Sequence, residues 1–278
     1  MKVLSILLIG LLLTVLGCQQ QEAYVPQNIH EKKIELTVKA TPELRHHMVD
    51  LSLYDQQPTE WGEVVTGVNQ RFQTTDKEMA LTFDACGGPY GSEVDMELIT
   101  FLKDNRIAAT LFVNEQWIHA NNELFLELAS HPLFEIENHG TNHSPLSVSG
   151  REAWGIPGTN SSQEAYDEIM NNHQTVLELT GHEMSLFRSG TAYYDEVAVQ
   201  LANDLGYDVV NFDVLGDAGA TYTSEQVKHA LLSAKKGSIV LLHMNQPHSG
   251  TADGVKRAIP LLIEEGYDFV LLKDKQLE

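Results

Sequence analysis

His139 and His143 stand four residues apart in the stretch 134-FEIENHGTNHSP-145, where the chain stops reading as a strand. Two imidazoles at that spacing, in a turn or in the first turn of a helix, can face a common point and supply two nitrogen ligands to a divalent metal. Taken alone, the same pair is more often two solvated or hydrogen-bonded side chains than a metal site, so the other polar residues at strand ends decide. The last polar residues of the apolar runs are Asp84, His139 with His143, Arg188, Asp213 with Asp217, and His243. That is the set a metal-assisted hydrolase needs. Singly, each has a plainer role: Asp84 as a helix N-cap, Arg188 and Asp217 as a structural ion pair, His243 as a satisfied core histidine. Jointly they are hard to assign to packing, because unpaired polar groups beside a core cost free energy.

The elements that carry these residues recur with a regular rhythm. Short apolar runs at 79–84, 107–113, 133–138, 184–188, 208–213, 238–243 and 267–272 predict seven strands, separated by six segments with helical spacing. Phe134 and Ile136 alternate with Glu135 and Glu137, which predicts a half-buried strand. The echo of 205-LGYD-208 in 265-EGYD-268 places a glycine just past a helix and then starts a strand. Alternation of this kind predicts an α/β fold, a parallel sheet wrapped by helices, either open or closed into a barrel. In such folds the reactive side chains collect at the carboxyl ends of the strands. No Gly-x-Gly-x-x-Gly turn follows the first strand, which disfavours a dinucleotide fold.

The ordered set Thr82-Phe83-Asp84, His139-x-x-x-His143, Arg188 in 188-RSGTAYY-194, Asp217 in 213-DVLGD-217 and His243 in 241-LLH-243 resembles the five motifs of the polysaccharide deacetylases, the family 4 carbohydrate esterases. The resemblance runs from about Met79 to Leu272 and implies a distorted (β/α) barrel with about seven parallel strands. It implies Asp84 as general base, Arg188 as the cation that holds it, His139 and His143 as the metal pair, and His243 as catalytic acid, oriented and charged by Asp217. Leu241 would line the pocket for the acetyl methyl, with Tyr193 beside it. These types suit hydrolysis of an acetamide, which needs a polarised carbonyl, a deprotonated water and a proton for the departing amine. The implied cofactor is a divalent metal, with zinc the expectation.

The chain departs from the family pattern at Ala85, where a second acid usually supplies the third metal ligand. A methyl cannot ligate, which leaves two histidines plus waters, a borrowed Asp84, or another donor. Cys86 is next door and a thiolate is a good zinc ligand, but its backbone position argues for a small buried residue. Ser189-Gly190 replaces a proline pair, and Ala218 a tryptophan. The loop 87-GGPYGS-92, with Trp154 and Tyr166 either side of 155-GIPGTNSS-162, offers aromatic faces on which sugar rings could stack, and reads equally well as ordinary loops.

The full sequence of 278 residues carries 18 basic and 39 acidic side chains, a net charge of −21. So acidic a surface repels phosphate backbones and excludes nucleic acid as a partner. Met1 to Cys18 has a basic start, an apolar run too short for a comfortable membrane span, and Gly17-Cys18 at its end. It is similar to a lipoprotein signal, with residues 1–17 removed and a lipid on Cys18 anchoring the exported protein to a membrane; an ordinary cleaved signal or a short anchor helix is the alternative. Residues 18–30 then form a tether, 31–75 an N-terminal extension, and 76–278 the catalytic domain. With Cys18 lipidated, Cys86 is the one remaining thiol. The expected function is removal of N-acetyl groups, or O-acetyl groups, from a cell-envelope polysaccharide or oligosaccharide. Two alternatives are a glycan-binding lipoprotein that lost catalysis with the acid at position 85, and a metal-independent amidohydrolase.

Overall fold

The computed structural model describes residues 49–278; the export segment, the tether and Cys18 lie outside the described residues. Nine strands form one sheet in which every pairing is parallel: β1 (Val68–Asn69), β2 (Glu78–Ala85), β3 (Ala109–Val113), β4 (Phe134–Asn138), β5 (Leu186–Phe187), β6 (Asp208–Val210), β7 (Val214–Leu215), β8 (Ser238–His243) and β9 (Asp268–Phe269). Their order is β1-β6-β5-β4-β3-β2-β8-β7, with β9 also on β2, a distorted barrel. All seven expected runs form strands. β1 and β7 are two residues each and lie outside the seven apolar runs, so no periodicity marks them.

The helices are α1 (Met96–Asp104), α2 (Glu115–Ala120), α3 (Asn122–Ala129), α4 (Ser162–Thr180), α5 (Glu196–Asp204), α6 (Ser224–Leu232) and α7 (Thr251–Glu264). The six helical segments expected are present, the second divided at Asn121 into α2 and α3. Starts are capped by short polar side chains: Asp95 accepts from Leu98 N at 3.0 Å and Asp195 from Ala198 N at 2.8 Å. Gly206 and Gly266 follow α5 and α7 with φ of 92° and 85°, conformations that L side chains rarely adopt. Among the described residues no helix is long and apolar enough to cross a membrane.

Strand β2 organises the core through the two-residue period of a strand. Met79, Leu81, Phe83 and Ala85 pack into the large cluster shared with the helices, whereas Ala80 joins Phe112, Ile239 and Leu241 in a smaller cluster within the barrel. Each large apolar side chain buried this way contributes about 1.5–3 kcal/mol. Thr82 and Asp84 therefore share the inner side with Ala80. Register then brings the strand ends level: Asp84 is opposite His243 on β8 and Phe112 on β3, and Val113 is opposite Asn138 on β4. Residues 49–75, the described part of the N-terminal extension expected over 31–75, contribute to the same fold: Tyr54 and Phe72 are buried, and β1 pairs with β6.

Glu135 and Glu137 differ from the half-buried pattern that their alternation predicts. Both are buried, 4% and 1% exposed. Glu135 accepts from Thr110 Oγ1 (2.6 Å) and the amides of Leu272 (3.0 Å) and Lys273 (2.9 Å), and Glu137 from the amides of Ser185 (2.9 Å) and Leu186 (2.7 Å). A barrel strand has no solvent face, and backbone amides of neighbouring segments here supply what water would on an open sheet. Asp213, one of the strand-end acids, closes the barrel where β6 and β7 diverge. It pairs with Arg71, and accepts from Ser238 Oγ (2.9 Å) and Ile239 N (3.0 Å).

Candidate active site

The aligned strand ends open into a cleft of about 700 Å³ whose wall includes Asp84, Cys86, His143, Leu241 and His243. Asp84 is almost wholly buried, and its Oδ1 accepts from Arg188 Nη1 at 2.8 Å. Arg188 reaches it from the end of β5. The guanidinium is fixed on every side: it donates to Thr82 Oγ1 (2.9 Å), Val210 O (3.1 Å) and Asn211 O (3.0 Å) and lies 4.2 Å from the Phe112 ring centroid. Burial alone pushes the Asp84 carboxyl up, but His139, Arg188 and His243 outweigh it and hold the group below its ordinary value. Asp84 is neither a helix cap nor solvated, and Arg188 does not pair with Asp217.

Asp217 is fully buried and serves His243 instead. Its Oδ1 accepts from His243 Nδ1–H at 2.8 Å, and Oδ2 accepts from His243 N (2.8 Å) and Thr251 Oγ1 (2.9 Å). The imidazole is thereby held with Nε2 as its remaining ring nitrogen, and His243 lines the cleft. Burial pushes the imidazole down, but the Asp217 carboxylate and Cys86 raise it well above its ordinary value.

His139 and His143 lie on a loop, not a helix. His139 Nδ1–H donates to Arg188 O at 2.9 Å, which leaves Nε2 directed at Asp84, 3.6 Å from Oδ2. His143 has φ of 62°, and Gly190 packs so close that a Cβ there would sit 2.4 Å from the His143 carbonyl carbon. That contact gives the glycine of the Ser189-Gly190 departure a steric reason. The loop is further held by Glu168 of α4, a residue that sequence reasoning missed. Its buried carboxylate accepts from Asn142 N (2.9 Å) and Ser144 N (3.1 Å). The missed signal was an acid on the buried face of α4, next to Ile169 and one turn after Ala165. Asn114, which caps α2, also donates to the carbonyls of His139 (3.1 Å) and Gly140 (2.8 Å).

Cys86 does not behave as the small buried residue expected. It is partly exposed, its Sγ lies 3.9 Å from His139 Nε2, and Cys86, His139 and His143 bring one donor atom each to within 4.8 Å of one another. Burial pushes its thiol up, yet His143, His139 and His243 together hold it well below the ordinary thiol value. The residues fit a divalent metal: His143 Nε2 is buried with no hydrogen-bond partner, and His139 Nε2 is freed by the bond its other nitrogen makes.

Of the two substrate-pocket candidates, Leu241 lines the cleft and Tyr193 does not. The Tyr193 ring packs between Trp61 (5.8 Å) and Trp154 (5.7 Å), and it is Trp154 that reaches the cleft. Tyr90 lines it too, whereas Tyr166 packs against the core.

Comparison with known sequences agrees with this geometry. The sequence model described as Polysaccharide deacetylase matches residues 71–210, and the chain belongs to that family. The match includes Asp84, His139, His143 and Arg188 and ends before Asp217 and His243. Among curated relatives, the peptidoglycan-N-acetylglucosamine deacetylase PgdA of Listeria monocytogenes is 27% identical over 201 residues, 72% of this chain and 39% of the relative. The chain thus spans well under half the length of that relative. A family 4 carbohydrate esterase pseudoenzyme from Bacillus anthracis superposes with a TM-score of 0.61 at 20% identity, covering 74% of this chain and 67% of that one. The family 4 acetyl xylan esterase from Clostridium thermocellum, solved with a cobalt ion, gives 0.59 at 23% identity, covering 71% and 89%. At these identities the structural matches speak for the fold.

Proposed function

We propose that the protein is a metal-dependent deacetylase that removes N-acetyl groups, or O-acetyl groups, from an N-acetylated polysaccharide or oligosaccharide of the cell envelope. It acts outside the cytoplasm, tethered to a membrane by a lipid on Cys18. The observation that carries the reading is the level register of Asp84 and His243 on adjacent strands, each with its own buried counter-charge, beside His139 and His143, which with Cys86 bring one donor atom each to within 4.8 Å of one another. His139 and His143 would hold the metal, which when bound polarises the acetyl carbonyl and acidifies the attacking water.

Asp84, kept ionised by Arg188, accepts the proton of that water. His243, kept protonated by Asp217, delivers a proton to the departing nitrogen and faces the developing oxyanion. Leu241 gives the acetyl methyl an apolar wall. Tyr90 and Trp154, 91% and 75% exposed at the cleft, offer faces for sugar rings. The pseudoenzyme likeness makes the fold alone insufficient. Here the base, its arginine and the Asp–His pair are all present, and a pure binder has no use for two buried ion pairs that are expensive to desolvate.

The test is release of acetate from acetylated glucosamine oligomers and from acetylated xylan, with and without chelator. Acetate release that chelation stops and zinc restores supports the reading. No acetate from these substrates with zinc, cobalt, manganese or nickel overturns it.

A further inference from the structure

Cys86 has no part in the proton transfers just described, yet it faces the same point as both histidines. The period of β2 explains why: Ala80, Thr82 and Asp84 point into the barrel, and Cys86 continues that alternation one residue past the strand. Ala85 belongs to the opposite face, fully buried against the helices with Phe83 and Trp117. The backbone after Cys86 is fixed as well. Gly87 has φ of 74°, donates to Gly91 O at 3.0 Å, and would bring a Cβ to 2.6 Å from Trp117 N.

We propose that Cys86 is the third protein ligand of the metal, completing with His139 and His143 a two-nitrogen, one-sulfur site that selects zinc and other thiophilic ions over magnesium and manganese. The inference rests on the deacetylase reading only for the presence of a metal. Three protein ligands with an open fourth position is the arrangement of catalytic zinc sites. With metal–sulfur and metal–nitrogen bonds of the usual length, a tetrahedral site separates sulfur from nitrogen by about 3.5 Å, and the Cys86 Sγ to His139 Nε2 distance is 3.9 Å. Metal binding displaces the thiol proton to solvent, and the anionic sulfur supplies the negative ligand charge that the two neutral imidazoles lack. It also leaves Asp84 outside the ligand set, free to act as base.

The experiment loads the full chain and its Cys86→Ser variant, which retains Cys18, with cobalt(II) and records absorption spectra. The wild type is expected to show a near-ultraviolet sulfur-to-cobalt charge-transfer band that the variant lacks. Zinc affinity, measured by competition with a chromophoric chelator, is expected to fall by more than about 100-fold, beyond the range that loss of an outer-shell partner costs. Iodoacetamide should alkylate Cys86 in the metal-stripped protein and not in the zinc-loaded one, as mapped by mass spectrometry. A Cys86→Asp variant, which restores an oxygen ligand, should bind zinc without the band and with a narrower preference over manganese.

Cobalt bound by the wild type without the band, no cobalt bound at all, or alkylation indifferent to zinc overturns the proposal. So does an acetyl thioester on Cys86 in metal-stripped protein that still releases acetate, because the thiol is then the nucleophile. The band without acetate release from any substrate upholds the ligand and sinks the deacetylase reading; metal-dependent acetate release without the band does the reverse.

Discussion

Asp84 and Glu137 are both acids buried on strands of one barrel, and the protein treats them oppositely. Burial pushes each upward; at Asp84 the His139, Arg188 and His243 charges win and the carboxyl titrates low, whereas at Glu137 burial, reinforced by Glu135, wins over the amides of Leu186 and Ser185 and leaves it well above the ordinary glutamate value. Depth alone therefore assigns no role to a buried acid. What separates the base proposed at Asp84 from the structural acceptor Glu137 is whether the nearest partner carries a full charge or a backbone dipole.

The comparison breaks most sharply at Arg188. An Arg188→Met variant leaves Asp84 buried without its cation and should lose about 3–5 kcal/mol of stability, read by urea denaturation, along with all measurable acetate release. Next is Asp84→Asn, which keeps the shape and both histidines. Turnover should fall on the order of 10²-fold or more, while metal stoichiometry by atomic absorption stays near wild type. Metal lost with activity would move Asp84 into the ligand set.

A third variant, Asp217→Asn, removes the charge that outweighs burial at His243. In the proposed mechanism protonated His243 is the form that acts, so the alkaline limb of the kcat profile should move to lower pH. Linkage gives the matching stability effect. The raised folded value means that the pair's contribution is complete below the unfolded value near 6.5 and is lost as pH rises through the folded one, and the variant should lack that dependence. Smallest is Glu137→Gln. The raised folded value of Glu137 costs nothing below the unfolded value near 4.5 and progressively more as pH rises through the folded one. The variant should change stability by about 1 kcal/mol or less, flatten its pH dependence in thermal melts, and leave acetate release unchanged.

Much of this site was legible because its parts sit at the ends of long apolar runs, where a polar residue is conspicuous. Asp84 and His243 close the strands β2 and β8, which announce themselves by composition. The supporting groups lack such a frame. Glu168 lies on a helix among other acids, and only its burial and its bonds to Asn142 and Ser144 distinguish it from a solvated glutamate. Tyr193 and Trp154 are both aromatic and near the site; Tyr193 packs in a tilted contact against Trp61, far away in sequence, and Trp154 is the one that reaches the cleft. Cys86 was misplaced for another reason. Its direction follows from counting alternation past the end of β2, where the period has no further apolar residue to show it.

The guanidinium of Arg188 also sets a clock. It touches Thr82 and Asp84, more than a hundred positions upstream, and the carbonyls of Val210 and Asn211, some twenty downstream. Contacts so distant in sequence close late and slowly during folding. The Asp84 carboxylate cannot be paired and aimed until three separate βα units have met around that one side chain. During refolding, helical signal should therefore return before acetate release does, and the lag between them measures the time the barrel takes to close on its arginine.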